Sequence, residues 1–129
     1  MIIADTGFWL ALANRTDRHH AAAVRALNGV KEKLVTTWPV LTETCHLLLV
    51  RLGVHSQLAF LRGLGQGGCD IFPLTATHLP RLEELMDRYA DLPMDLADAS
   101  LVVLAEELGD GRILSTDERD FHAYRWKNR

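Results

Sequence analysis

The sequence predicts an α/β fold, a three-layer α/β/α arrangement with a central parallel sheet of four to five strands. Three observations lead there: short apolar runs recur along the chain, helical stretches separate them, and an acidic residue stands just past the first and the last run. Short continuous apolar runs mark strands buried on both faces, as in parallel sheets covered by helices on either side. Ligands of such sheets bind beyond the carboxyl ends of the strands.

Met1-Ile2-Ile3-Ala4 reads as the first strand, with Asp5 at its end. Thr6-Gly7 leads into an apolar helical stretch, Phe8 to Ala13, and a second helix runs from Asp17, a suitable N-cap, to about Leu27, where Asn28-Gly29 stops it. Lys33 to Thr37 is the next strand. Pro39 opens a helix, its missing N–H being harmless there, which runs to Leu52-Gly53 and carries Glu43 in its early turns. A helix from Ser56 to Leu64, a glycine-rich break and a strand from Asp70 to Leu74 follow. Thr75 or Thr77 caps a helix that ends near Tyr89. Beyond the turn Asp91-Leu92-Pro93, the stretch Leu96 to Leu108 is apolar almost all round, with Ala97, Leu101, Leu104, Ala105 and Leu108 on one face. That pattern predicts a central packed helix, ended by Gly109. Arg112 to Thr116 forms the last strand, and Asp117 stands at its end.

Length and composition suit one domain over residues 1–129, since 129 residues with 48% apolar can bury a core of their own. No apolar run approaches the roughly 20 residues of a membrane-spanning helix. With no charged flank or small-residue cleavage site at the N-terminus, a cytoplasmic protein is expected. Cys45 and Cys69 lie 24 positions apart with no CxxC spacing, and read as buried thiols rather than zinc ligands or a disulfide. The net charge of −3 argues against nucleic-acid binding by bulk positive charge. It leaves room for an enzyme whose acids are neutralised by bound cations. Eleven of the 14 basic residues are arginine, whose planar fork suits phosphate.

The acids carry the chemistry. Asp5 and Asp117 follow apolar strands in the same grammatical position, and parallel strands place both on one rim. Asp95 and Asp98, three residues apart, share a face near the start of the central helix, and Glu43 comes from the early part of another helix. Acidic side chains crowded on an apolar interior repel one another unless cations neutralise them, and hard oxygen ligands select Mg²⁺ or Mn²⁺. Phosphodiester hydrolysis is what such sites commonly serve. Each acid alone also has a plainer reading: Asp5, Asp95 and Asp117 suit N-cap positions, and Glu43 suits a solvated helix surface.

Taken together, Ile2-Ile3-Ala4-Asp5-Thr6-Gly7, Thr42-Glu43, Asp95-Leu96-Ala97-Asp98-Ala99 and Leu114-Ser115-Thr116-Asp117, followed by Asp120-Phe121, resemble the four acidic motifs of PIN domains, in order and across the whole chain. The resemblance is greatest to the small single-domain PIN proteins similar to VapC toxins of type II toxin–antitoxin pairs. It implies a PIN-like fold and an endoribonuclease that uses Mg²⁺ or Mn²⁺ held by Asp5, Glu43, Asp98 and Asp117, with Asp95 as a further candidate ligand. It also implies a supporting role for Thr6 and Thr116, products ending in a 3′-hydroxyl and a 5′-phosphate, a homodimer, and inhibition by a cognate antitoxin. The alternatives are a PIN-fold RNA-processing nuclease outside a toxin pair and a non-catalytic interaction module on the same fold.

Arg125 and Lys127, in the tail Tyr124-Arg125-Trp126-Lys127-Asn128-Arg129, interleave with aromatics in a way that suits RNA, as does Arg15 near the first helix pair; a packed Trp126 among solvated cations is the plainer reading. Gly63-Leu64-Gly65-Gln66-Gly67-Gly68 spells GxGxxG, but a helix precedes it and a strand follows, the reverse of a dinucleotide site. No GxSxG is present, and Cys45 and His46 are helix neighbours pointing apart, expected in the core rather than in a nucleophile–base pair.

Overall fold

Among residues 1–116, the part of the chain that the computed structural model describes, four apolar runs form strands: β1 (Ile2–Ala4), β2 (Leu34–Thr36), β3 (Cys69–Ile71) and β4 (Ile113–Leu114). All pair in parallel, in the order β3-β2-β1-β4. Ile2 stands opposite Leu34, Ile3 opposite both Val35 and Ile113, and Ala4 opposite Leu114. The chain therefore builds outward from β1 to β2 and β3 on one side, then returns to add β4 on the other. That reversal makes a switch point between β1 and β4, where a parallel sheet opens a crevice beyond its carboxyl ends.

Six α-helices connect the described strands: α1 (Thr6–Ala13), α2 (His20–Gly29), α3 (Trp38–Leu52), α4 (Val54–Gly65), α5 (Leu79–Arg88) and α6 (Leu96–Leu108). Local chemistry sets several of their ends. Asp5 caps α1, its carboxylate accepting the Phe8 N–H at 2.8 Å. Thr37 caps α3 with Pro39 in the first turn, and Gly53, at φ 99°, closes it. Gly109 ends α6 in the left-handed region that favours glycine.

The main core gathers Ile3 and Ala4 of β1, Leu34 and Val35 of β2, Phe8 and Trp9 of α1, and Leu101 and Leu104 of α6. A second cluster joins Leu82, Leu85 and Tyr89 to Met94, Ala99, Val102 and Val103. Burial of each large apolar side chain stabilises the fold by about 2 kcal/mol. Because α6 contributes to both clusters, it is packed on two sides, which is why its sequence is apolar nearly all round. Thr37 Oγ1 and Ser100 Oγ are 2.6 Å apart and fully buried, tying the start of α3 to α6.

The parallel four-stranded sheet and the helix-rich α/β arrangement match the expectation; several boundaries do not. The second helix starts at His20, not Asp17, because the Asp17 carboxylate accepts the His19 N–H at 2.7 Å and closes a turn ahead of the helix. The third strand is Cys69–Ile71, stopping before Pro73, which has no N–H to give a ladder. Thr75 caps a short 3-10 turn over Ala76–His78, after which α5 begins. Leu108 lies on the exposed end of α6, 37% accessible, and not on its packed face. His46 is exposed rather than in the core, while Cys45 and Cys69 are half-buried free thiols. Burial pushes the Cys69 thiol up to about 11, so it stays protonated and inert near neutrality. The glycine-rich break runs from the end of α4 into β3, with Gly67 and Gly68 at positive φ, a context that receives no pyrophosphate. No helix among the described residues is long and apolar enough to cross a membrane.

Candidate active site

Beyond the carboxyl ends of β1 and β4 the structure opens a cleft of about 600 Å³. Its walls come from separate parts of the chain: Asp5, Thr6 and Gly7 at the start of α1, Val40 and Glu43 of α3, the turn Asp91-Leu92-Pro93, Asp95, Ala97, Asp98 and Leu101 at the start of α6, and Thr116 after β4. Five carboxylates line it, and no described Lys, Arg or His does.

Asp5 leaves the inner strand β1 and enters α1 as its cap. Glu43 sits one and a half turns into α3, half-buried, and the Thr6 hydroxyl donates a hydrogen bond to its carboxylate. Burial pushes the Glu43 carboxyl up; the Thr6 hydrogen bond opposes this, and the charges of Asp95 and Asp5 add to it. Asp95 caps α6 by accepting the Asp98 N–H at 2.8 Å, while the Asp98 carboxylate reaches back to the Asp95 N–H at 3.4 Å. In Asp98, burial first, then the charge of Asp95 and a hydrogen bond with it, and then the charge of Glu43, push the carboxyl up to about 7 against an ordinary 3.8. Like charges gathered in a partly buried cleft disfavour one another's ionised form.

The sequence-derived set thus divides. Asp5, Glu43, Asp95 and Asp98 face one cleft, with Thr6 and Thr116 on its wall. The cap reading of Asp5 and Asp95 holds as well, since each side chain accepts a first-turn N–H. Asp117, Arg125 and Lys127, with Asp120, Phe121 and the aromatic tail, lie outside the described residues. Arg15 is exposed in the turn after α1 and does not line the cleft. Among the described residues no three acids stand as a ready-made metal site. The four are close neighbours in electrostatic contact, short of a closed coordination shell. Two wall features had no site role in the sequence reading: Asp91, which looks like any turn acid, and Gly7, which stands there only as the last residue of the first acidic motif. Only the fold's closeness to Thr116 marks the latter.

Three comparisons bear on this geometry. The family model of the PIN domain matches residues 2–127. Ribonuclease VapC26 of Mycobacterium tuberculosis is 32% identical over 124 residues, covering 96% of this chain and 92% of that protein. The crystal structure of Mycobacterium tuberculosis VapC20, a sarcin-ricin loop cleaving toxin, matches with a TM-score of 0.87 over 95% of both chains at 24% identity, a likeness of fold. With the family match running nearly end to end and the acids of all three described motifs on one cleft, the chain belongs to the PIN domain family.

Proposed function

We propose that this chain is a metal-dependent endoribonuclease and the toxin of a type II toxin–antitoxin pair. The observation that carries the reading is the convergence of Asp5, Glu43 and Asp98 at the sheet's switch point, in a chain 32% identical to a ribonuclease. RNA is a polyanion, and five carboxylates with no described cation beside them would repel it. A divalent cation reverses that sign. The donor set fits Mg²⁺ or Mn²⁺, because the described residues of the cleft offer hard oxygen ligands and no sulfur or imidazole.

Asp5, Glu43, Asp98 and Asp117 would hold the ion, with Asp95 beside them. When bound, it supplies acidified water and charge stabilisation on the leaving oxygen. The chain's own residues do the rest. Thr6 fixes the rotamer of Glu43 by hydrogen bonding its carboxylate, and Asp95 fixes Asp98 through the reciprocal cap. Because α1 and α6 begin at the cleft, the partial positive charge of their N-termini lowers the cost of gathering acids there.

A homodimer and a cognate antitoxin complete the proposal. The exposed apolar side chains Leu49, Val50, Leu52, Val54, Leu58 and Leu61 along α3 and α4 are surface that such an assembly would cover. The test of activity is cleavage of RNA by purified protein with Mg²⁺ or Mn²⁺. Asp5→Asn and Asp98→Asn are each expected to abolish it while circular dichroism stays native; cleavage unchanged in both variants removes these residues from the mechanism. Growth arrest on induced expression, relieved by co-expressing a small protein from the neighbouring gene, tests the toxin role.

A further inference from the structure

Gly7 is the second residue of α1, two positions after Asp5. A Cβ built on it would stand 2.5 Å from Thr116 Oγ1, closer than real Cβ atoms come to any neighbour, 3.5 Å from Asp5 Oδ1 and 3.8 Å from Thr116 Cβ. At seven other glycines a Cβ would meet nothing within 4 Å. Backbone conformation does not explain the residue, because Gly7 is absent from the glycines with positive φ and its place in α1 is open to any amino acid. Helix propensity argues against it, since alanine is better at a helical position. What the missing side chain provides is room for the Thr116 hydroxyl against the first turn of α1, across the crevice between β1 and β4.

We propose that Gly7 is a positioning residue for the hydrolytic site: by carrying no side chain it lets Thr116 Oγ1 close onto the start of α1 beside the Asp5 carboxylate, setting the spacing between the ends of β1 and β4. This inference rests on the nuclease reading of the cleft. A methyl group at Gly7 forces Thr116 to turn its hydroxyl away, while Asp5 Oδ1 at 3.5 Å and Thr116 Cβ at 3.8 Å stand at ordinary van der Waals distance and need not move.

The test is a double-mutant cycle on RNA cleavage with Gly7→Ala, Thr116→Ala and the pair, together with urea unfolding and a crystal structure of Gly7→Ala. Gly7→Ala is expected to lower kcat by about tenfold or more, as small misplacements at a reacting centre do, with KM within about twofold. Its unfolding midpoint should be unchanged or raised, and Thr116 Oγ1 should be displaced from Asp5. In the Thr116→Ala background, where no hydroxyl remains to displace, Gly7→Ala should have no further effect. Wild-type cleavage matched by Gly7→Ala overturns this inference and leaves the nuclease reading standing. Equal losses from Gly7→Ala in both backgrounds also overturn it, because Thr116 would not be the intermediary. Loss of the folded state in Gly7→Ala would make the contact one of packing and would overturn it too. Absence of cleavage by the wild-type protein takes down the nuclease reading and this inference with it.

Discussion

Asp95 and Asp98 hold each other across the first turn of α6: the Asp98 N–H donates to the Asp95 carboxylate at 2.8 Å, and the Asp95 N–H donates to the Asp98 carboxylate at 3.4 Å. A capping box normally pairs a Ser, Thr or Asp with a Glu or Gln three residues on. Two aspartates in these roles bring like charges together at the mouth of a cleft that Asp5 and Glu43 also line. The same side chains therefore start the central helix and crowd the site.

That crowding makes the metal-free protein pH-dependent in an unusual direction. Asp98 has a folded-state pKa raised to about 7 from 3.8, by burial, then Asp95, then Glu43. Between about pH 4 and pH 7 the native state holds a proton that the unfolded chain has released, so this contribution to stability is full at the acidic end and is lost as pH rises. With EDTA present, the wild-type urea midpoint should decline across that window relative to Asp98→Asn, which has no proton to lose. Parallel pH profiles for the two proteins would contradict the shift.

The cap itself is separable from the charge. Asp95→Asn keeps an acceptor for the Asp98 N–H, whereas Asp95→Ala does not. Asp95→Ala should be about 1 kcal/mol less stable than Asp95→Asn by chemical denaturation. Equal stability would show that α6 does not depend on this cap.

The buried contact between the start of α3 and α6 predicts a coupled pair. Thr37 Oγ1 and Ser100 Oγ are 2.6 Å apart with both residues 0% exposed, and Thr37 also caps α3. Ser100 donates to the Ala97 carbonyl at 2.7 Å, leaving the Thr37 hydroxyl to donate to Ser100. Thr37→Val should cost about 2 kcal/mol, through the lost cap and the lost bond, and Ser100→Ala about 1 kcal/mol. In urea unfolding the double variant should cost less than the sum of the singles. Strict additivity would mean that the two hydroxyls do not interact.

Much of this architecture is legible in the sequence because single residues make local decisions. Pro39 and Gly53 bracket α3, and Asp95 and Gly109 bracket α6, each for a backbone reason that sequence displays. Asp5, Glu43 and Asp98 converge as their positions after β1 and at the starts of helices imply. What stays hidden depends on tertiary approach. Nothing in Asp91-Leu92-Pro93 says that the turn folds over the site, and the closeness of Gly7 to Thr116 exists only once β4 has paired beside β1. Asp17 resembles a cap because its type suits one. It closes the preceding turn instead, a choice between two local hydrogen-bonding options that residue type does not decide.

The proposed chemistry requires the acids of the cleft to act together on one divalent cation, and Mn²⁺ binding measures this without reference to any RNA. Titration of the folded protein with Mn²⁺, followed by electron paramagnetic resonance at neutral pH, should give saturable binding. Asp5→Asn and Asp98→Asn should each weaken it by about 10- to 100-fold or more, at least what changes in a supporting shell cost. Identical Mn²⁺ affinity in the wild-type protein and both variants would contradict a shared metal site at these carboxylates.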